Sequence, residues 1–506
     1  MPGELEPGAV ARRLFGIDPD RDERASQLCM EALLTLAQNE YRAPSADEEL
    51  ASPKRRQFAI RSLALGHNFL ELFEEGRIGS EGLSPQRYGE LLATGSDLLG
   101  SANLNLARDA LQGLVDPSTS RGQAGGWLLR PFHESLLWFD ARQTRARPWT
   151  VRQVYMRGSG VTFARMLVEP PDTAGAEAAD SGRRAVDAIR DALRAPSPLG
   201  DIAVALEGAL PDDLSRPYPP EAAELRAWEH GGEPELGDLS ATICRHAEGV
   251  MLQGTASAPA RLWQLRSIMA LDFAAHVLRS AWDRLELDER SRYVLASFGG
   301  PPRRDNRLRQ LSERSYADAR QQLRRATVAT LADEMRRLNA AGHVEWDREV
   351  LNRGDRLNHV LAELTELSRG APPEEYDRLA RLTADNADYG RAAEGFRVLI
   401  ESVGLLAGTG AYRYMSPTPE LLSALVGALS RHMPMTSAEF FDRVRAEWGL
   451  VIGPGSGARV ADELDGVELE RNARRAEAVL SNAGLALGLS DRTVVVGERA
   501  AWEGRA

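Results

Sequence analysis

Apolar positions recur every three or four residues through most of this chain, which is the rhythm of helices that bury one face. From about 22 to 115 one stripe is Leu28, Leu33, Leu34, Leu36 and Ala37, and a second is Phe58, Leu63, Leu65, Phe69, Leu70 and Phe73. Between 126 and 169 the texture changes. Trp127-Leu128-Leu129, Leu136–Phe139 and Val151–Tyr155 read as short strands, and Arg157-Gly158-Ser159-Gly160 turns the chain into Val161–Val168 as a hairpin. Residues 170–182, small and rich in breakers, read as an exposed linker; a short helix over 183–194 and an irregular acidic stretch over 207–238 follow. Helical texture returns near 240. Its longest element spans about 259–286, apolar around most of its circumference as a central helix would be.

Near the carboxyl end the signals are local and dense. Ser416-Pro417-Thr418-Pro419 places proline in the first turn of a helix striped by Leu421, Leu422, Leu425 and Leu429. Thr436 and Glu439 have capping-box spacing ahead of Phe440, Phe441, Val444 and Trp448, and Gly449 ends that helix. Leu450-Val451-Ile452 reads as a short strand. A helix over about 467–483 turns Leu469, Ala473, Ala476, Val479 and Leu480 inward until Gly484 stops it. Leu485–Leu489, a Ser490-Asp491-Arg492 turn and Thr493–Val496 then make a β-hairpin.

This order of elements, over 411–499, resembles the winged-helix family. The resemblance implies a third helix that contacts DNA through Arg471, Asn472, Arg474 and Arg475, with Arg492 on the wing. The sequence departs from that pattern in a Gly-Pro-Gly-Ser-Gly insert and in acids ahead of the helix (Asp462, Glu463, Asp465, Glu468, Glu470). Acids there repel phosphate, so protein docking is the other use that the resemblance implies.

A second basic region lies upstream. Residues 300–325 carry eight arginines against three acids, in a chain whose formal net charge is −12. Following the candidate strand 293–299 and a Gly-Pro-Pro break, it reads as an arginine-rich helix. Arg303, Arg304, Arg307, Arg309 and Arg314 would offer guanidinium forks to phosphate oxygens, and Tyr316 a stacking surface. The competing reading is a solvated helix whose charges pair with surrounding acids.

Lysine is nearly absent: Lys54 is the single one, in Ala51-Ser52-Pro53-Lys54-Arg55-Arg56. A P-loop needs glycines before its lysine and Ser/Thr after it, and a kinase lysine follows Val-Ala-Ile, so both classes are excluded. Pyridoxal-phosphate chemistry is disfavoured for want of an amine. Gly453–Ala458 has the G-x-G-x-x-A spacing but no βαβ context, and reads as a loop. Neither a G-x-S-x-G elbow nor an H-E-x-x-H motif occurs. Cys29 and Cys244 are the only cysteines, which argues for a reducing compartment, and Cys244-x-His246 lacks a second ligand pair for zinc. Asp272 and His276, four apart on the long helix, have the spacing of a carboxylate-oriented base.

The expected fold is therefore mainly α and multi-domain. An N-terminal helical domain spans 1–125, a small β-hairpin region 126–169, and a linker and irregular segment 170–239. A central helical domain with the arginine-rich segment spans 240–410, and the winged-helix-like domain 411–499. No leader-like N-terminus and no apolar run long enough to span a bilayer are found, so a cytoplasmic protein without membrane contact is expected. Neither a cofactor nor a metal is expected. The expected function is a non-catalytic nucleic-acid-binding or scaffolding subunit of a bacterial multi-protein assembly, of the kind that serves antiviral defence or genome maintenance. Its partners would be other protein subunits and DNA or RNA. Two alternatives stand beside it: an enzyme whose site is assembled from dispersed groups such as Asp272, His276 and His246, and a protein-only scaffold.

Overall fold

The computed structural model describes residues 5, 7–19, 24–45, 131–137, 141–142, 150–151, 159–197, 200–201, 204, 234–254, 256–300, 306–341, 367, 371–384, 387–430, 433–455, 466–490 and 493–497. The expected stripe from Phe58 to Phe73 and Lys54 lie outside them. Among the described residues, twelve α-helices face nine strands of two to five residues, and the protein is mainly α. The first helices are α1 (Pro7–Phe15), α2 (Ala25–Gln38), α3 (Ser159–Val168), α4 (Ala176–Leu193), α5 (Gly237–Met251) and α6 (Ala258–Arg284). Then come α7 (Arg307–Ala341), α8 (Pro373–Ala384), α9 (Arg391–Ser402), α10 (Pro419–Ser430), α11 (Ser437–Trp448) and α12 (Gly466–Asn482). The strands are β1 (Ala141–Arg142), β2 (Thr150–Val151), β3 (Val294–Leu295), β4 (Leu406–Ala407), β5 (Tyr414–Met415), β6 (Met435–Thr436), β7 (Leu450–Val451), β8 (Ala486–Ser490) and β9 (Thr493–Val496). No helix among the described residues is long and apolar enough to cross a membrane. The chain divides into two compact units, one of residues 24–270, 427–433 and 498–506, the other of 1–23, 271–426 and 434–497.

In the first of these units, α2 buries the expected stripe Leu28, Leu33, Leu34 and Leu36 together with Cys29. The stretch Val161–Val168, expected as a hairpin strand, is the body of α3. The reason is tertiary. The buried Glu31 of α2 accepts a hydrogen bond from the Gly160 amide (2.8 Å), placing a carboxylate at the amino end of α3 where unpaired N–H groups and the helix dipole favour negative charge. Gly158-Ser159-Gly160 thus leads into a helix and not a hairpin turn. The expected linker is also corrected, because α4 already begins at Ala176. The small residues that suggested a linker are a contact face: Ala178, Ser181, Gly182 and Ala185 are buried, and a Cβ on Gly182 would run into the Leu167 carbonyl. Small side chains let helix backbones approach closely, which composition alone reads as flexibility.

The second unit is organised around α7, 35 residues long. Its far end packs Leu331, Met335 and Leu338 against Tyr376 and Leu379 of α8, with Leu5 and Val10. The near end is different. The buried stripe there is Leu308, Ser312, Ser315, Tyr316 and Ala319, in which small and polar side chains outnumber large apolar ones. The serine hydroxyls supply backbone partners: Ser312 Oγ donates to the Leu295 carbonyl (2.5 Å) and accepts from the Met415 amide (3.0 Å), while Ser315 Oγ accepts from the Leu295 amide (3.0 Å). Buried strand ends are thereby satisfied by side chains of a helix. β3 pairs in parallel with β7 (Val294↔Leu450, Leu295↔Val451), and a small core of Leu295, Leu308, Val451 and Leu469 joins α7 to α12 beneath them.

Towards the carboxyl end the local signals hold. Thr436 accepts from the Glu439 amide (3.2 Å) at the start of α11, and Gly449 closes that helix at φ +67°. The hairpin β8–β9 forms as expected, but the strand that joins it is Met435–Thr436: the antiparallel sheet runs β6-β9-β8. Leu450–Val451, expected beside this module, pairs elsewhere with β3 because both of its residues are buried between helices and strand.

Candidate nucleic-acid interface

A helix turns about 100° per residue, so the arginines of α7 cannot all face one way. Arg307 and Arg314, seven apart, are exposed on one side. Arg309 and Tyr316 lie on the opposite side. Arg309 sits over the Tyr414 ring at 4.3 Å and within 3.5 Å of Glu313, and Tyr316 is buried. The expectation of Tyr316 as a base-stacking surface is therefore corrected: its ring is core. Arg303 and Arg304 lie outside the described residues, as does Arg492 on the hairpin turn.

On α12 the expected contact residues separate in the same way. Asn472 is fully buried; its Nδ2 donates to the carbonyls of Ala296 and Ile452 (both 2.8 Å) and its Oδ1 accepts from the Phe298 amide (2.8 Å). It pins the helix to the segments leaving β3 and β7, and its burial leaves a base no access to it. Arg474 is exposed and pairs with Glu470 one turn back (2.6 Å). Arg471 is exposed, and Arg475 is half-buried with Nη1 3.5 Å from the Phe298 carbonyl; no acid among the described residues pairs with either.

Arg475 meets the other basic region. After β3 the chain turns through Gly299 (φ +55°) and Gly300 (φ +102°), conformations that only glycine adopts without strain. A Cβ on Gly300 would lie 2.7 Å from Arg475 Nη1 and 2.8 Å from Asn306 Nδ2, so the turn is enclosed by a guanidinium and by the amide of Asn306. Asn306 is the cap of α7: its Oδ1 accepts from the Arg309 amide (3.0 Å) and its Nδ2 donates to the Gly299 carbonyl (3.2 Å). The capped amino end of a 35-residue helix thus meets Arg475 at a glycine turn, with Arg471 one turn earlier on α12. Sequence reading treated these as two separate regions. Asn306, two residues ahead of Leu308 and a cap by type, was the signal that went unused.

Catalytic alternatives fare differently. Asp272 is buried and accepts from the Trp448 indole N–H (2.7 Å). His276 donates from Nε2 to the Phe15 carbonyl (2.7 Å), because a carbonyl oxygen can only accept. Both side chains tie α6 to neighbouring segments of its unit. His246 belongs to the other unit and is buried. Burial pushes the Cys29 and Cys244 thiols up to about 12, so neither is a thiolate at neutral pH. A cleft of about 620 Å³ is ringed by Arg13, Arg284 and Arg337 alternating with Asp283, Asp333 and Glu334. Arg13 and Arg337 pair with Glu334, and Arg284 pairs with Asp333, which leaves the ring charge-balanced. Among the described residues no three His, Cys, Asp or Glu side chains gather as metal ligands would. Comparison with known proteins finds no family model, no curated protein and no solved structure that matches this chain.

Proposed function

We propose that this chain is a non-catalytic, mainly helical subunit of a bacterial multi-protein assembly that holds nucleic acid at the junction of α7 and α12. The observation that carries the reading is the meeting at Gly299–Gly300 of Arg475 and the capped amino end of α7, with the exposed Arg471 one turn earlier on α12, while Arg309 and Arg474 beside it are matched by acids. Guanidinium forks and helix amino ends are both phosphate ligands, and they position a backbone without reading its sequence. The three-stranded sheet β6-β9-β8 beside α12 supports the winged-helix reading of the module.

Fluorescence anisotropy with duplex DNA and with RNA, over a salt series, tests this. Wild type should bind with a steep salt dependence, and an Arg471→Ala/Arg475→Ala protein should bind more weakly with a slope smaller by roughly one to two units. Wild type indifferent to both polymers at low salt would remove the proposal. A second reading, protein docking, is favoured by the exposed apolar side chains Val467, Leu487 and Leu489 on α12 and β8. Under it, Leu487→Asp/Leu489→Asp should release a co-purifying protein from the native host while nucleic-acid binding stays as in wild type.

A further inference from the structure

The other face of α7 carries a second basic cluster. Arg320 and Arg324 of α7, Arg397 of α9 and Arg413 beside β5 gather around two carboxylates. Glu394 takes Arg320, Arg397 (2.9 Å) and Arg324 (3.9 Å); Glu401 takes Arg397 (2.6 Å) and Arg413 (3.5 Å). Four guanidiniums thus share two acids, a surplus of two positive charges. The neighbouring Arg309–Glu313 pair is balanced and adds nothing to that surplus.

At the base of the cluster lies Tyr316, 5% exposed. Its hydroxyl faces Arg320, Arg413 and Arg397, with Arg413 placed to donate to its oxygen; its own O–H reaches no acceptor, and neither do the buried Nε groups of Arg320 and Arg413. Three buried polar groups in one place therefore lack partners in a protein that satisfies its other buried strand ends through Ser312 and Ser315. Such groups cost stability unless something completes them. Above them Arg320, Arg397 and Arg413 are each about a quarter exposed, so the cluster opens to solvent.

We propose that the Arg320–Arg397–Arg413–Tyr316 cluster binds the phosphate group of a small ligand. A tetrahedral dianion matches the surplus of two charges. Its acceptor oxygens can take the Nε donors of Arg320 and Arg413 and the phenol O–H, all of which are donors without partners. A carboxylate brings a single charge and fits less well. Burial raises the Tyr316 pKa against the opposing pull of the guanidiniums, so the hydroxyl keeps its proton and remains a donor. The site stands apart from the α7–α12 junction and does not rest on the nucleic-acid reading.

Isothermal titration with inorganic phosphate at low ionic strength tests it. One saturable site is expected. Arg413→Gln should weaken it by about tenfold or more, Arg413→Lys by less, with circular dichroism showing both folded as wild type. Tyr316→Phe should weaken it while leaving the fold unchanged, and Arg471→Ala/Arg475→Ala should leave phosphate affinity at the wild-type value. A 5′-phosphorylated and a 5′-hydroxyl tetranucleotide then separate the sources. Tighter binding of the 5′-phosphorylated one than of inorganic phosphate assigns the site to a terminal nucleic-acid phosphate, and equal affinity to the free anion. The proposal is overturned if phosphate gives no saturable heat, or if folded Arg413→Gln and Tyr316→Phe bind phosphate as wild type does.

Discussion

Asn472 and Tyr316 are buried polar side chains of the same unit, and their surroundings differ in one respect. Asn472 uses its amide in full: two donations and one acceptance, all at 2.8 Å, to backbone groups that no strand partner reaches. Tyr316 presents a hydroxyl to three guanidiniums, all donors, so its O–H finds no acceptor among them. A completed polar network in a low-dielectric interior fixes one geometry, since every displacement breaks a bond that water cannot replace. An incomplete one keeps binding capacity at a cost in stability. One unit thus carries a structural pin on α12 and an open ligand set on α7.

The largest expected effect comes from breaking the pin. Asn472→Ala would strand the Ala296 and Ile452 carbonyls and the Phe298 amide inside the unit, a loss of about 3 kcal/mol or more. Asn472→Asp should be worse, because two carbonyl oxygens would then face a carboxylate instead of an N–H pair. Urea unfolding followed by tryptophan fluorescence gives both values. A cost under about 1 kcal/mol for Asn472→Ala would mean that water or relaxation replaces these bonds, and the contrast with Tyr316 would lose one side.

Why the sequence disclosed one part of this arrangement and not the other follows from where each signal resides. The cap Thr436, the stop Gly449, the β8–β9 hairpin and the long helix α6 depend on neighbours within a few residues, and all were legible. The mainly helical class was legible for the same reason. Asn472 was read as a base contact because its partners at Ala296 and Phe298 come from over 170 positions earlier. The faces of α7 were hidden because its buried stripe uses Ser312, Ser315 and Ala319, residues with no hydropathy contrast against their neighbours. With the stripe invisible, Arg309 and Tyr316 could not be assigned to the inner face, nor Arg307 and Arg314 to the outer one. The carboxylates that meet Arg320 and Arg324 sit about 70 residues further along, beyond the reach of any spacing rule.

A smaller effect, and one that sharpens the open side of the contrast, is the acid sensitivity of Glu394. Burial opposes its ionisation, but the hydrogen bond from Arg397 and the charges of Arg320, Arg397 and Arg324 outweigh it and hold the carboxyl below the ordinary value of 4.5. A carboxyl that is more acidic in the folded chain stabilises the fold at pH above its unfolded value, and that contribution is lost as pH falls through the folded value. Wild type should therefore exceed Glu394→Gln in urea midpoint at neutral pH, and the gap should narrow as the pH falls below the ordinary carboxyl value of 4.5. Parallel profiles over that range would show that the arginines do not hold this carboxylate, and the charge count around Tyr316 would have to be redrawn.

The smallest effect is the most discriminating. Tyr316→Phe removes one oxygen, keeps the ring in its packing, and takes away an O–H that reaches no acceptor. Removing an unsatisfied buried group of nearly unchanged shape should shift stability by no more than about 0.5 kcal/mol, with a slight gain as the favoured sign. A loss of about 2 kcal/mol would mean instead that the phenol is bonded to Arg413 or Arg320 in solution, as tightly as Asn472 is to its three partners. The two buried side chains would then be the same kind of pin, and a near-zero shift is what separates them.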